Sequence, residues 1–293
     1  MLIGVIDVGS NTMRLLVAGS SPGGFAPLGE ERAQVGLAAA IERHGWIPAE
    51  KVEEAAQAAR GFASRARELG CRRLEMVVTA PGRQAVNADD LLVALQAATG
   101  AAPRVLPAEE EGRLAFVGAA ASLDDPPDVI AVCDVGGGST ELAVGSPFGV
   151  TPWVASLDIG SLRLTERCLG GEAPGRRKVE CARDEIRQMF EGVEPPVAAG
   201  SGIAVGGSAR ALAKMVDGDL TGHALADAID QLTGRSAAKV ARRHGIGERR
   251  AATLLAGAVI LEGVQAHLSL PLQVAHAGLR EGLASELLAR AAA

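Results

Sequence analysis

Several residue types are scarce in this chain of 293 residues, and each shortage argues against a class of protein. The chain has no tyrosine, five phenylalanines and two tryptophans, too few rings for a surface that stacks nucleic-acid bases. Its five histidines include no His-Glu-x-x-His pair, which argues against a histidine-based zinc hydrolase. The net charge of −6 argues against a general attraction to polyanions, although 29 lysines and arginines leave room for a local basic groove.

Cysteine motifs and long apolar runs are lacking as well. No Cys-x-x-Cys spacing occurs among the four cysteines, as is typical of reduced thiols in a cytosolic protein. They are Cys71, Cys133, Cys168 and Cys181. Residues 1–6 are apolar, but Asp7 follows at once, so this run is too short for a signal peptide. No apolar run approaches the ~20 residues of a membrane span. We therefore expect a soluble, cytoplasmic protein without a membrane or nucleic-acid partner.

One segment of the chain occurs twice. Residues 5–17 recur as residues 132–144, so that Asp134 takes the place of Asp7 at an offset of 127 residues (134 minus 7). Each copy has an apolar run, one aspartate, a turn of small and hydroxylic residues and a second apolar run, a pattern that predicts strand, tight turn and strand. Two copies of one device predict a two-lobed molecule with a cleft between the lobes.

The residues of both turns suit an anion. Glycine has no Cβ, so successive backbone N–H groups can approach a phosphate closely, and serine and threonine hydroxyls add further donors. An aspartate would repel phosphate unless a divalent cation lies between them, which predicts Mg²⁺. Ordinary hairpin turns use the same residue types. For a single copy, an ordinary turn would explain these residues as well as phosphate binding does. The candidate phosphate-binding residues are Gly9, Ser10, Asn11 and Thr12 in the first copy, and Gly136, Gly137, Gly138, Ser139 and Thr140 in the second.

Strands and helices alternate along the chain, which predicts an α/β fold. Beyond the two hairpins we expect strands at 73–79, 103–106, 152–157, 202–205 and 271–275, and helices at 48–69, 89–98, 108–121, 161–169, 175–191 and 278–292. Between the strand at 202–205 and residue 267 we expect a mostly helical stretch. Residues 122–127 form a polar, proline-rich linker, which predicts an N-terminal domain over 1–124 and a C-terminal domain over 125–293 with additional helices. The closing helix, about 278–293, is expected to pack back on the first domain.

Six motifs follow one another along the chain, at residues 7–12, 79–87, 110–114, 134–141, 206–208 and 278–282. Together they resemble the exopolyphosphatase and guanosine pentaphosphate phosphohydrolase family, and the length matches its short form. They span nearly the whole sequence. The resemblance implies two ribonuclease H-like domains, as in actin-like ATPases, with the active site in the cleft.

The resemblance also implies a catalytic base. In the Glu-Glu-x-Arg-Leu motif at 110–114 the second acid, Glu111, would draw a proton from a water that attacks the terminal phosphorus. Taken from the residues alone, the acidic run 109–111 is explained more simply by the helix dipole, which favours acids at a helix start.

Metal and phosphate ligands follow from the same resemblance. Asp134 is the expected Mg²⁺ ligand, with Glu141 and Asp7 as further candidates. Read from the pattern alone, Glu141 could instead be a solvent-facing strand residue, and Arg14, which matches it in the first copy, could be structural. The remaining phosphate-binding residues implied are Arg83, in a Pro-Gly turn, and Gly207 with Ser208.

We interpret the chain as a magnesium-dependent exopolyphosphatase, with guanosine pentaphosphate (pppGpp) as a possible second substrate and a homodimer expected by analogy. A kinase or ATPase of the same superfamily is an alternative, because residues 204–208 resemble an adenosine-binding turn. A phosphate-metabolite sensor without turnover is another. Two residues depart from the family pattern: Gln34 stands where a basic residue is common, and His276 where an aspartate is common.

Overall fold

The structure is a computed structural model that describes residues 1–21, 24–149 and 151–292. Ala293, the last residue of the predicted closing helix, lies outside the described residues. Backbone contacts divide the chain into two units. Unit 1 comprises Met1–Leu114 and the segment from Leu279 onward, and unit 2 comprises Ala115–Gly278.

Ten strands are present in the described part of the chain: β1 (Leu2–Val8), β2 (Thr12–Ser21), β3 (Gly24–Gln34), β4 (Arg73–Val78), β5 (Pro103–Val105), β6 (Ile130–Val135), β7 (Thr140–Gly145), β8 (Trp153–Leu157), β9 (Ser201–Val205) and β10 (Leu272–Val274). Both predicted hairpins are confirmed, as are the five further strands, each within two residues of its predicted limits.

The helices of the same residues are α1 (Leu37–His44), α2 (Ala49–Glu68), α3 (Ala80–Gln84), α4 (Ala88–Thr99), α5 (Ala108–Ala120), α6 (Ser161–Leu164), α7 (Arg176–Met189), α8 (Gly206–Val216), α9 (Gly222–Leu232), α10 (Ala237–His244), α11 (Glu248–Leu268) and α12 (Leu279–Ala292). A π-helical turn, Thr165–Leu169, continues α6. Helix α2 ends before Gly70, whose φ of 84° allows the left-handed turn that closes a helix.

Each unit contains one five-stranded sheet, and the two sheets have the same topology within the described residues. In unit 1 the order is β3-β2-β1-β4-β5, and in unit 2, read in the matching direction, it is β8-β7-β6-β9-β10. In both, the first three strands are antiparallel, and the last two are parallel to the hairpin's first strand. The α/β fold of two ribonuclease H-like domains is therefore confirmed, and the sequence repeat marks the first hairpin of each.

Both faces of each sheet are buried, which is why their central strands read as continuous apolar runs. In unit 1 one face packs on α1, α2 and α4, and the other on α12 and the first half of α5. In unit 2 one face packs on the helices from α6 to α11, and the other on the second half of α5. Alternation along β1 and β6 places Asp7 and Asp134 on the α5 face of their respective sheets.

The division between the units falls inside α5, at Leu114/Ala115, whereas the predicted linker begins at residue 122. The core explains this position. Leu114 packs in the core of unit 1, whereas Ala115, Phe116 and Ala119 pack in the core of unit 2. A polar, proline-rich segment marks a loop, but it does not show which core the preceding helix joins.

Helix α11 corrects the expectation that nothing in the chain approaches a membrane span. It has 21 residues, and its most apolar 18-residue window has a mean hydropathy of 1.4. Most of that window, 61%, is buried within the protein, and the buried residues belong to the main core of unit 2. We therefore describe α11 as a core helix, which has the same composition as a span because it is surrounded by apolar neighbours.

Three elements were not predicted. Strand β3 carries Pro27 and several charges and lies at a sheet edge, where charge and proline are common because they discourage further pairing. Helix α1 is short and follows Gly36, whose φ is 64°. Helix α3 replaces the predicted Pro-Gly turn, and it places Arg83 near its end.

Candidate active site

The first glycine turn joins β1 to β2 in unit 1. Asp7 and Arg14 are direct partners in this antiparallel ladder, so their side chains project from the same face of the sheet. A Cβ on Gly9 would lie 3.0 Å from the carbonyl oxygen of Thr12. This close approach explains why the turn has glycine at that position.

The second glycine turn joins β6 to β7 in unit 2 and repeats that geometry. Asp134 and Glu141 are direct partners in the ladder. A Cβ on Gly136 would lie 3.0 Å from the carbonyl oxygen of Ser139, to which the Gly136 N–H donates at 3.0 Å. In both turns, therefore, the first glycine lies close to the backbone oxygen of the residue three positions later.

Helix α6 fixes the orientation of the second turn. The Gly136 carbonyl accepts from the Ser161 N–H at 2.9 Å, and the Gly137 carbonyl accepts from the Leu162 N–H at 3.0 Å. In a trans peptide the N–H points opposite to the C=O, so the N–H groups of Gly137 and Gly138 point away from α6. Consecutive N–H groups on one side of a turn form the concave arrangement that binds anions.

Helix α1 and the glycine before it also bond carbonyls of the first turn, one position further along the repeat than in unit 2. The Ser10 carbonyl accepts from the Ala38 N–H at 2.9 Å, and the Asn11 carbonyl accepts from the Gly36 N–H at 3.1 Å. The N–H groups of Asn11 and Thr12 consequently point away from α1. In each unit, backbone N–H groups at the start of the helix that follows the third strand donate to carbonyl oxygens of the glycine turn.

One predicted phosphate ligand is corrected by these contacts. Thr140 is fully buried, and its hydroxyl donates to the Ile159 carbonyl at 2.7 Å. That hydroxyl anchors the turn to the segment before α6, so we remove it from the phosphate-binding set. Ser10 and Ser139 are also largely buried, at 5% and 4% exposure, and stay predicted donors from the turns.

Two carboxylates lie beside the second turn. Asp134 is half-buried, and a Cβ on Gly206, at the start of α8, would lie 2.9 Å from its Oδ1. Glu141 is 1% exposed, so it is not a solvent-facing residue, and its Oε1 accepts from the Ser156 hydroxyl at 3.0 Å. Within residues 1–21, 24–149 and 151–292, no group of three or more His, Cys, Asp and Glu side chains is placed to hold a metal.

The predicted base is held by an ion pair in unit 1. Glu111 is 8% exposed in the first turn of α5, and Arg83 Nη1 lies 2.7 Å from its Oε2. The same Nη1 donates to the Leu106 carbonyl at 2.8 Å. Arg83 was expected to grip phosphate, but its described contacts hold a carboxylate and a carbonyl.

A third glycine motif begins α8 in unit 2, and an arginine covers it. Arg250, from α11, donates from Nη1 to the Ser208 hydroxyl at 3.4 Å, and its Nη2 would lie 2.3 Å from a Cβ on Gly207. Ser208 is fully buried. The serine therefore supports Arg250 from inside the protein, which corrects its expected role as a direct phosphate ligand.

Within each unit the structure brings some predicted residues together. In unit 1 it pairs Glu111 with Arg83. In unit 2 it places Asp134 beside the glycine turn and the start of α8. Sequence reasoning did not single out Arg250, which stands in a basic stretch where neighbouring arginines are exposed. The signal that could have found it is Gly207, since a helix start without a side chain leaves space for a neighbour.

Comparison with known proteins agrees with the motifs. The sequence model of the family described as "Ppx/GppA phosphatase family" matches residues 16–291. Exopolyphosphatase 1 of Mycobacterium tuberculosis is 32% identical over 301 aligned residues, which cover 97% of this chain and 87% of that protein. Exopolyphosphatase 2 of the same species is 33% identical over 200 residues, or 64% of this chain.

Solved structures match over the whole chain. An exopolyphosphatase-like protein aligns with a TM-score of 0.91 and 25% identity, covering 100% of this chain and 99% of that one. The Aquifex aeolicus member of the Ppx/GppA family aligns with a TM-score of 0.83 and 27% identity, covering 99% and 98%. The match of the family model over most of the sequence, with relatives above 30% identity across nearly its full length, shows that the chain belongs to the Ppx/GppA phosphatase family.

Proposed function

We propose that this chain is an exopolyphosphatase, which releases orthophosphate from the end of linear polyphosphate. The observation that carries the proposal is the buried carboxylate of Glu111, held by Arg83 at 2.7 Å in a member of a phosphatase family. The curated relatives that match nearly the whole chain are named exopolyphosphatases, which supports this choice of substrate.

In this mechanism Glu111 accepts a proton from the water that attacks the terminal phosphorus. A base in phosphoryl transfer must hold its carboxylate in one direction, and the Arg83 ion pair fixes that direction. Arg83 is thus a positioning residue, and we propose this role in place of direct phosphate binding.

Asp134 and Glu141 are the residues proposed to hold Mg²⁺. Their donor chemistry fits, because Mg²⁺ prefers carboxylate oxygens and commonly takes one or two of them together with waters and substrate phosphates. When bound, Mg²⁺ neutralises charge on the phosphoryl group. The N–H groups of Gly137 and Gly138 bind phosphate oxygens, and Arg250 adds a cation at the start of α8.

Replacement of Glu111 by glutamine tests the base. Glu111→Gln keeps the size of the side chain but cannot accept the proton, so we expect kcat to fall by about 10²- to 10⁴-fold, the usual contribution of a general base. The measurement is phosphate release from short and long polyphosphate with Mg²⁺.

The neighbouring acid supplies a matched control. Glu110 lies in the same helical turn, but it pairs with Arg104 at 2.6 Å and is more exposed. Glu110→Gln should change kcat by less than about threefold, as expected for an exposed ion pair. Equal losses in the two variants would contradict the assignment of Glu111.

Arg83→Gln tests positioning against substrate binding. Loss of orientation lowers kcat and leaves KM for polyphosphate nearly unchanged, whereas loss of a phosphate ligand raises KM. We expect the first result. A rise in KM at constant kcat would return Arg83 to the phosphate-binding set.

The same assay separates the finer alternatives. We propose pppGpp as a second substrate, since its terminal phosphoanhydride bond is of the same kind. Phosphate release from ATP alone would favour an ATPase or kinase, and binding of polyphosphate without release would favour a sensor. The homodimer and the cytoplasmic location remain proposals by family analogy, and light scattering of the purified protein tests the first.

A further inference from the structure

Two cysteines of unit 2 face each other. Cys168 lies in the π-helical turn and Cys181 in α7, and their sulfur atoms are 3.2 Å apart. Cys181 is exposed and Cys168 is half-buried. The pair thus combines a thiol that solvent can reach with a second thiol directly behind it.

Polar contacts between α7 and the preceding segment flank the cysteine pair. Lys178, Cys181 and Glu185 are spaced three and four residues apart on α7, which places them on one helix face. They contact the preceding segment in reverse order: Lys178 bonds the Gly170 carbonyl, Cys181 meets Cys168, and Glu185 pairs with Arg167 at 2.9 Å. The polar contacts on both sides of the pair therefore keep the two sulfur atoms next to each other.

We propose that Cys168 and Cys181 form a reversible disulfide that tethers the π-helical turn to α7. The sulfur atoms need to approach by about 1.2 Å to reach bonding distance. A shift of this size lies within the rotation of two cysteine side chains. The bond would close a loop between residues 13 apart in sequence.

The oxidant that we name is a small disulfide such as oxidised glutathione. The Cys181 thiolate attacks one sulfur of oxidised glutathione and releases one glutathione, leaving a mixed disulfide on Cys181. Cys168 then loses its proton and attacks the Cys181 sulfur, which releases the second glutathione. Two protein thiols are oxidised, one glutathione disulfide is reduced, and both thiol protons end on glutathione.

The order of these steps follows from the environments of the thiols. Burial, together with the Cys181 thiol beside it, raises the pKa of Cys168 to about 12, so Cys168 is a poor first nucleophile. Once Cys181 is bound to glutathione it can no longer carry a charge, and its repulsion of a Cys168 thiolate disappears. The attack by Cys168 is then intramolecular, which compensates for a low thiolate fraction.

The other two cysteines provide internal controls. Cys133 is fully buried in β6, and burial raises the pKa of its thiol well above the ordinary value. Burial also raises the pKa of Cys71, which lies in unit 1. Neither is expected to react with oxidised glutathione at neutral pH.

The test treats the chain of 293 residues with oxidised glutathione, removes the reagent, and counts thiols with dithionitrobenzoate after denaturation. We expect the wild-type count to fall from four to two, with a peptide map that joins Cys168 to Cys181 and a mass loss of two hydrogens. Cys71→Ser should fall from three to one. Cys168→Ser should keep a glutathione adduct on Cys181, and Cys181→Ser should keep all three thiols.

Thermal unfolding supplies a second readout that needs no variant. A disulfide across a loop of this length should raise the melting temperature of the oxidised protein by about 5 to 10 °C. Dithiothreitol should reverse the rise. A wild-type count that stays at four, a lasting glutathione adduct on Cys181, or an unchanged melting temperature after oxidation would overturn the proposal.

Discussion

The two glycine turns occupy the same place in the two sheets but have different charges opposite their aspartates. In unit 1 Asp7 faces Arg14 across the ladder, and in unit 2 Asp134 faces Glu141. A guanidinium near a carboxylate favours the charged form of the carboxylate, whereas two neighbouring carboxylates repel each other unless a cation lies between them. Under the proposed mechanism, this single position of the repeat separates a turn that binds phosphate from a turn that binds phosphate and metal.

The residues inside the two turns differ as well, and they give the second turn more room for an anion. Unit 1 has Ser10 and Asn11 where unit 2 has Gly137 and Gly138. The second turn leaves more room for an anion, because neither glycine carries a side chain. Both turns keep the first glycine, since a Cβ there would lie 3.0 Å from a backbone oxygen in either unit.

Removing the charge of each aspartate tests the comparison most strongly. We expect Asp134→Asn to lower kcat/KM by about 10²- to 10³-fold, the cost of losing a group that stabilises transition-state charge. Asp7→Asn should cost less than about tenfold, because Arg14 remains to meet a phosphate. The measurement is phosphate release from polyphosphate across a Mg²⁺ titration.

The metal dependence distinguishes the two variants further. Only Asp134→Asn should require more Mg²⁺ for half-maximal rate. If both variants lost activity equally and with the same Mg²⁺ dependence, the charge at the partner position would not separate the two turns.

The glycines that precede α6 and α1, Gly160 and Gly36, lie next to the segments that bond the two turns, but they are required for different reasons. Gly160 has an extended backbone, but a Cβ there would lie 2.4 Å from the Gly137 carbonyl carbon. Gly36 has a φ of 64° with nothing within 4 Å of a built Cβ. The first glycine is needed for space and the second for conformation.

Alanine at these positions should therefore act differently. Gly160→Ala pushes the second turn out of place, so we expect a loss of kcat/KM of about tenfold or more along with a stability cost of about 1 to 3 kcal/mol. Gly36→Ala should cost about 1 to 2 kcal/mol of stability through backbone strain, with a smaller effect on catalysis. Thermal unfolding and kinetics well below each melting temperature measure both effects. A larger catalytic loss in Gly36→Ala would reverse this interpretation.

Much of the fold could be predicted because its strongest signals are local. The hairpins follow from apolar runs around small residues, and α2 and α12 follow from their periodicity. Strand β3 could not be predicted in this way, because Pro27 and the charges near it hide an edge strand that depends on pairing with β2. The position of the unit boundary depends on which core Phe116 joins, and this is decided by tertiary packing and not by local sequence.

The candidate site likewise has a part that could be predicted from local sequence and a part that could not. Sequence motifs predicted Glu111 and Asp134, but not which groups lie beside either side chain. That Arg83 pairs with Glu111, that Thr140 bonds the Ile159 carbonyl and that Arg250 covers Gly207 are contacts between distant segments. A motif gives the residue types that a chemistry needs, whereas side-chain partners depend on how helices pack.

The smallest expected effect concerns the departure at Gln34. This exposed residue ends β3 as the direct partner of Thr12, so it stands beside the first turn. Gln34→Lys adds a positive charge there, and we expect KM for long polyphosphate to fall by about two- to fivefold at low salt, within the range of exposed charge pairs. Gln57→Lys makes the same charge change on an exposed position of α2 and serves as the matched control. The difference between the two variants should shrink as salt rises, since screening weakens exposed charges first. If both lowered KM equally, net charge and not the first turn would set the affinity for polyphosphate, and the two turns would differ less in function than their partner residues indicate.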